Sequence, residues 1–356
     1  LEKLKNDKKI IFIRVDSSTK IGYGHLIRCL ALADTLKKFF RIYFICSSLT
    51  GNIISEINKK KFEVFRFNVK LQKINIKHDA EKTISIIKKY GNNNSMLILD
   101  SYVLSKQWEN SVKPFVQKLI VIDDQPNRTH NCDLLIDQNL SSDNKKYYEK
   151  LLPKKTKKLL GPKFVMIRKE LNSLRRYVKI RTFPIENILV SFGGTDTDNQ
   201  SIKILNLFQK IDSNLHFDIV LGKGNKNKKY IKNICSKQKN FSYHEQINYI
   251  GKLMLKSDIS IGSSGSTAWE RCCLGLPSII SICAKNQKNT ANELSKRNCV
   301  INLGDVKQLD GSDYKTSIDK ISKHQLEKMS KNSFKLVDGN GTERILGHIL
   351  DMSLRN

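Results

Sequence analysis

Short β-branched runs that stop at glycine and pass directly into helix-spaced apolar residues occur in both halves of this chain. That rhythm restricts the fold more than any single motif does. Residues 10–15 form the first run, Gly22 and Gly24 break it, and Leu26, Cys29, Leu30, Ala33 and Leu36 then recur at helical spacing. Strand-like runs at 42–46, 64–67, 96–99, 119–122 and 134–136 alternate with helix-like stretches such as 80–90. The rhythm pauses at 152–158 and at Gly161-Pro162, stops at Pro184, and restarts. Residues 188–192 then run into Gly193-Gly194, 217–221 into Gly222-Lys223-Gly224, and 259–261 into Gly262-Ser263-Ser264-Gly265-Ser266, with a further strand at 278–283. Near-continuous apolar strands separated by helices predict parallel sheets covered on both faces. The expected class is α/β, with two Rossmann-like, doubly wound domains facing a cleft. The expected boundaries are 1–160 for the first domain, 161–184 for a linker, 185–335 for the second domain and 336–356 for a C-terminal helix.

Composition narrows the possible functions. No apolar run approaches the roughly 20 residues a membrane helix needs, and residues 1–9 are charged, with no secretory apolar region or cleavage pattern. The first residue is Leu, which leaves the natural start open. The eight cysteines include no Cys-x-x-Cys pair, and several sit inside apolar runs, where Cys behaves as a small hydrophobe. A reducing, cytoplasmic compartment is expected. The formal charge is +29, from 63 Lys and Arg against 34 Asp and Glu. Such a charge suits nucleic acid, an anionic surface or an anionic small substrate. The lysines are scattered, however, and no RNA-recognition, zinc-finger or basic-zipper pattern is present. Compositional bias is the better reading, with no nucleic-acid or membrane partner and a monomer expected.

In open α/β sheets, ligands bind beyond the carboxyl ends of the strands, so the Gly-rich turns are the first places to look for chemistry. The first reads Asp16-Ser17-Ser18-Thr19-Lys20-Ile21-Gly22-Tyr23-Gly24-His25. It lacks the Gly-Lys-Ser/Thr ending of a P-loop, and Ile27 stands where a dinucleotide fingerprint needs its third glycine. Gly-x-Gly-His at a helix start brings backbone N–H groups close to a ligand and places an imidazole, suited to proton transfer near neutral pH, beside them. His25 merely decorating a helix N-terminus is the competing reading.

Asp100-Ser101-Tyr102 and Asp123-Asp124 follow strands; capping or loop ordering suits Asp100 and Asp123 better than ligand contact. The His and Asp spacing matches no standard zinc or magnesium signature. In the second half, Gly193-Gly194-Thr195-Asp196 closes a strand and can approach a pyrophosphate. Ser264, Gly265, Ser266 and Thr267 offer free N–H donors at a helix start, with Glu270 one turn on. Cys272-Cys273 lie in an apolar helix and read as core. Asn286-Gln287 follow the strand at 278–283, where amides suit sugar or N-acetyl groups.

The ordered set of motifs resembles the UDP-sugar hydrolases of the pseudaminic acid pathway, over nearly the whole chain. It runs through Arg14-Val15-Asp16-Ser17-Ser18, Ile21-Gly22-Tyr23-Gly24-His25 with Arg28-Cys29-Leu30-Ala31-Leu32-Ala33, and Leu99-Asp100-Ser101-Tyr102. Ile122-Asp123-Asp124, Cys132-Asp133-Leu134-Leu135-Ile136-Asp137-Gln138-Asn139, Leu160-Gly161-Pro162 and Val190-Ser191-Phe192-Gly193-Gly194-Thr195-Asp196 continue it. Trp269-Glu270-Arg271-Cys272, Leu274-Gly275-Leu276-Pro277 and Asn286-Gln287 complete it. The strong basicity and the residues before Ile10 are not part of the pattern.

The resemblance implies a GT-B-like fold and hydrolysis of UDP-2,4-diacetamido-2,4,6-trideoxy-β-L-altropyranose to free sugar and UDP, with no metal and no cofactor. It implies His25 as the general base, with Tyr102 and Asn286 near the sugar, and Gly22, Gly24 and Asp100 are expected to bind substrate with them. It implies Gly193, Gly194, Ser264, Gly265, Ser266, Thr267 and Glu270 at the nucleotide. The first rival is a glycosyltransferase using a UDP-amino-sugar donor. The second is a non-catalytic polyanion-binding protein.

Overall fold

The computed structural model describes residues 8–68, 74–139, 144–211 and 214–354. Most of the N-terminal extension before Ile10 lies outside the described residues. Two compact units divide the chain. The first comprises Leu1–Arg168 and Asn340–Asn356, the second Lys169–Gly339.

Seven strands form the sheet of the first unit. They are β1 (Ile10–Val15), β2 (Arg41–Ser47), β3 (Glu63–Phe67), β4 (Met96–Asp100), β5 (Lys118–Ile122), β6 (Leu134–Asp137) and β7 (Lys157–Leu160). Their order is β3-β2-β1-β4-β5-β6-β7, and every pairing is parallel. Alternation along β1 sends Ile11, Ile13 and Val15 to one apolar layer and Phe12 to the opposite one. Both faces are therefore buried, which is why the central strands read as continuous apolar runs. Helix Gly24–Leu36 packs on the first of these faces through Leu26, Cys29, Leu30 and Ala33.

The second unit repeats the plan with β8 (Asn187–Ser191), β9 (His216–Leu221), β10 (Phe241–Glu245), β11 (Ile259–Ser263), β12 (Ser278–Ile282) and β13 (Val300–Asp305). The order is β10-β9-β8-β11-β12-β13, again all parallel. Each sheet thus starts at its centre, runs outward to one edge, and returns to build the other side. The order reverses between β1 and β4 in one unit and between β8 and β11 in the other. Such a switch point leaves a crevice at the carboxyl ends of the strands, where ligands of open α/β sheets bind.

The expected boundaries differ from those observed. Residues 161–184 do not form a separate linker. Residues up to Arg168 belong to the first unit, and Lys169–Leu174 is already a helix of the second. Arg181 is buried there, donating to the carbonyls of Leu274 at 2.5 Å and Met254 at 2.9 Å. The expected C-terminal helix is present, starting at Gly341 rather than at 336. Helix Gly341–Leu354 joins the first unit because Ile345, Leu346 and Ile349, at helical spacing, close its apolar layer. Gly341 is required at its start, since a Cβ there would lie 2.1 Å from the Val165 carbonyl oxygen. Among the described residues no helix is long and apolar enough to cross a membrane.

Candidate active site

At the switch point of the first sheet, Val15 pairs with Asp100, and Asp100 with Ile122, so the ends of β1, β4 and β5 stand side by side. The loop after β1 is tied down from within. Ser18 Oγ accepts the N–H of Ile21 at 2.9 Å, and the Gly22 N–H donates to the Ser18 carbonyl at 2.8 Å. Gly22 has φ +89°, a conformation that L side chains resist. Arg14 and the Ser47 N–H both reach Asp16 at 2.6 Å and fix the base of the loop. The chain enters helix Gly24–Leu36 with His25 and Arg28 three residues apart and hence on one face.

These two side chains converge on Asp100. His25 Nδ1 lies 2.5 Å from Asp100 Oδ1, while Arg28 donates Nε to Oδ2 and Nη2 to Oδ1, both at 2.7 Å. Arg28 continues through Nη1 to Asp124 Oδ2 at 2.7 Å, and the Tyr102 hydroxyl donates to the other oxygen of Asp124. The Tyr102 ring meets the imidazole edge-on, with centroids 4.5 Å apart.

Asp100 is 1 % exposed. Burial alone would raise its pKa, but Arg28 and then His25 outweigh that and hold the carboxyl well below the usual carboxylate range. Asp124 is likewise lowered, with Arg28 and the Tyr102 hydroxyl overcoming burial. Arg28 Nη2 also lies 3.2 Å from Nδ1, but an ionised carboxylate at 2.5 Å only accepts, so in the neutral ring Nδ1 is the donor and Nε2 the acceptor. Among the described residues Nε2 has no hydrogen-bond partner. The imidazole is therefore oriented through Nδ1, with Nε2 turned away from Asp100.

The sequence grouped Asp100 with residues around the sugar. Its carboxylate is instead taken up by His25, Arg28 and the Cys29 thiol, which donates to Oδ2 at 3.4 Å. Asp100 orients the His25 imidazole. Asp123 turns away from this cluster to order the next loop. It accepts the Gln125 N–H at 2.9 Å, Arg128 at 2.6 Å and His130 Nε2 at 2.7 Å. His130, 1 % exposed, reaches Glu109 through Nδ1 at 2.5 Å. Burial would lower its pKa, but the Asp123 and Glu109 bonds push it up to about 9. Sequence reading missed Glu109, Arg128 and His130, because these contacts join separate loops and leave no spacing signal.

The switch point of the second sheet is built from close backbone approaches. A Cβ on Gly222 would fall 2.4 Å from Gly194 Cα, and one on Gly262 would fall 2.1 Å from the Ser191 carbonyl oxygen. These glycines let the turns after β8, β9 and β11 crowd together. Gly193 has φ +80° and lies beside β11, its Cβ position 4.0 Å from Ser263 Oγ. Asp196 caps the helix Gln200–Phe208, accepting the N–H groups of Gln200 at 2.9 Å and Ser201 at 3.0 Å.

Helix Ser266–Cys273 starts at Gly265, whose lack of a side chain leaves the first N–H groups without an N-cap side-chain bond. Ser266, Thr267 and Glu270 are partly exposed along its first turns. Ser264 faces inward: it is 2 % exposed and donates to Gln287 Oε1 at 3.4 Å. Gln287 also accepts the Cys283 N–H at 3.1 Å, so it braces the turn, while Asn286 beside it is exposed. Cys272 and Cys273 are buried, and burial raises both thiols, Cys273 to about 11, as core packing requires. Among the described residues no three His, Cys, Asp or Glu side chains are grouped to hold a metal ion.

Residues 188–344 match the glycosyltransferase family 28 C-terminal domain. The chain is 28 % identical over 293 residues to the UDP-2,4-diacetamido-2,4,6-trideoxy-β-L-altropyranose hydrolase of Campylobacter jejuni, covering 81 % of this chain and 97 % of that protein. It is 27 % identical over 309 residues to an uncharacterised protein of Methanocaldococcus jannaschii, covering 84 % of this chain but 60 % of that longer relative. Among solved structures, MurG of Acinetobacter baumannii superposes with a TM-score of 0.65 at 11 % identity, over 96 % of this chain and 99 % of that one. The fold, two Rossmann-like units, is thus shared with the GT-B enzymes. The likeness to the UDP-sugar hydrolase extends over most of the chain.

Proposed function

We propose that this chain hydrolyses a UDP-linked 2,4-diacetamido-2,4,6-trideoxy sugar of the altropyranose type to the free sugar and UDP, as a step of pseudaminic acid biosynthesis. The observation that carries this reading is the His25 imidazole, held by Asp100 at 2.5 Å through Nδ1 and open at Nε2. The likeness to the Campylobacter jejuni hydrolase, spanning 97 % of that protein, supports the choice of substrate.

In this mechanism Nε2 takes a proton from a water molecule as the water oxygen attacks the anomeric carbon. The bond from that carbon to the β-phosphate oxygen breaks, its electron pair leaves with UDP, and the imidazolium later returns the proton to solvent. Asp100 stabilises the imidazolium as it forms, and the bidentate Arg28 keeps Asp100 ionised throughout. The Gly22–Gly24 turn and Tyr102 adjoin the imidazole and serve the sugar. The turns at Gly193-Gly194 and Gly265-Ser266-Thr267 hold the diphosphate through backbone N–H groups, and Glu270 holds the nucleoside. Developing charge on UDP is stabilised by such fixed donors, so one base and one positioned water suffice, and no metal ion is invoked.

A glycosyltransferase with a UDP-amino-sugar donor is the second reading, favoured by the family 28 match at residues 188–344. There Nε2 would deprotonate an acceptor hydroxyl. Incubation with the UDP-sugar alone separates the two. Steady UDP release in simple buffer supports the hydrolase; release only on adding an acceptor overturns it.

A further inference from the structure

Among the described residues four arginines are buried, and three of them are matched. Arg14 donates to Asp16 and Asp79, Arg28 to Asp100 and Asp124, and Arg181 to a set of backbone carbonyls. Arg271, on helix Ser266–Cys273, is 1 % exposed and makes a single hydrogen bond, Nη2 to the Ser263 carbonyl at 2.5 Å. Its Nε and Nη1 are buried without a partner. Among the described residues no carboxylate pairs with it. A buried, unmatched charge is costly, and folded proteins rarely keep one without a use.

Its position supplies the use. A Cβ on Gly262 would lie 2.7 Å from Arg271 Nη1 and 2.1 Å from the Ser191 carbonyl oxygen. The guanidinium therefore lies against Gly262, where β8 and β11 part at the switch point of the sheet. The Ser263 carbonyl that it binds opens the 263–266 turn, and the Cβ position of Gly193 lies 4.0 Å from Ser263 Oγ. Burial draws the pKa of Arg271 down to about 10, still cationic at neutral pH.

We propose that Arg271 is a fixed counter-charge for a nucleoside diphosphate held on the turns at Gly193-Gly194 and Gly265-Ser266. It acts through the Ser263 carbonyl at the start of the turn and through its field, without touching the ligand. It is a positioning residue, and its charge is matched only when the diphosphate is bound. The inference rests on the nucleotide-binding reading above and adds the source of its selectivity for charge.

The test uses the full chain, with uridine, UMP and UDP as probes in calorimetric titrations at low salt. Arg271→Gln is expected to weaken UDP at least tenfold and uridine less than twofold, with UMP between them. Arg271→Lys is expected to keep UDP within about threefold. Arg271→Met, which replaces the buried charge with an apolar chain, is expected to match or exceed the unliganded wild type in Tm while losing UDP selectivity. Equal loss of uridine and UDP, or unchanged UDP binding in a folded Arg271→Gln or Arg271→Met, overturns the inference and leaves the nucleotide reading standing. Failure of both neutral variants to fold also overturns it, since the charge would then be structural. If the wild type binds no UDP, the nucleotide reading itself fails, and the inference with it.

Discussion

Asp100→Asn is the perturbation that most directly separates an oriented base from a buried histidine. The carboxylate has two duties: it accepts His25 Nδ1 at 2.5 Å and clamps Arg28 with two bonds at 2.7 Å. An asparagine offers one acceptor oxygen. If that oxygen stays on Arg28, the amide N–H₂ faces Nδ1 and selects the tautomer with its proton on Nε2, which cannot accept one from water. The rate loss should approach the full worth of the base, roughly 10²–10⁴-fold in kcat. The fold is weakened as well. Breaking a buried pair costs about 3–5 kcal/mol, and the low end applies because Arg28 keeps Asp124. For a unit of this size that is a fall of about 6–12 °C in Tm.

Both quantities are accessible: UDP release by a coupled assay at saturating substrate, and unfolding by calorimetry. The double variant with His25→Ala should be no slower in kcat than His25→Ala alone, because the two residues act as one device. A folded Asp100→Asn enzyme with turnover within about threefold of wild type would refute the tautomer argument.

Other consequences follow from the same structure. His25→Ala should lose roughly 10²–10⁴-fold in kcat with circular dichroism unchanged, since Asp100 keeps its Arg28 clamp. His130, raised to about 9 by Asp123 and Glu109, contributes stability that is complete below about pH 6.5 and is lost as pH rises through about 9. Denaturant titrations of wild type and His130→Asn should therefore differ by on the order of 3 kcal/mol at pH 6 and converge by about pH 10. Gly222→Ala sets a Cβ 2.4 Å from Gly194 Cα; it should cost about 1–3 kcal/mol and weaken UDP binding while leaving the His25 cluster as it is.

The interior strands could be read from the sequence because both faces of each sheet are covered. Their residues are apolar whichever way they point, as in Ile10–Val15 and Met96–Asp100. The strands not recognised, β7, β10 and β13, are all at sheet edges. Edge strands carry polar residues that blunt unwanted pairing, and Lys157-Lys158, Ser242 and His244, and Asn302 and Asp305 hide the apolar signal. The return of Gly341–Leu354 to the first unit was not legible either, since an amphipathic helix does not state which core it completes.

At the site, the glycine turns and His25 stood out because a backbone break and an imidazole at a helix start are local features. The role of Asp100 did not, because a carboxylate at a strand end looks the same whether it meets ligand or histidine. Arg28 appeared only within a motif. Arg271 likewise appeared only within a motif, since only the three-dimensional contacts reveal that among the described residues no carboxylate faces it.

The central claim, that the imidazole drives water onto the anomeric carbon, is tested most directly by running the reaction in ¹⁸O-labelled water and weighing the products. The account predicts one heavy oxygen in the released sugar and none in UDP. Heavy oxygen in UDP would mean attack at phosphorus and would contradict it.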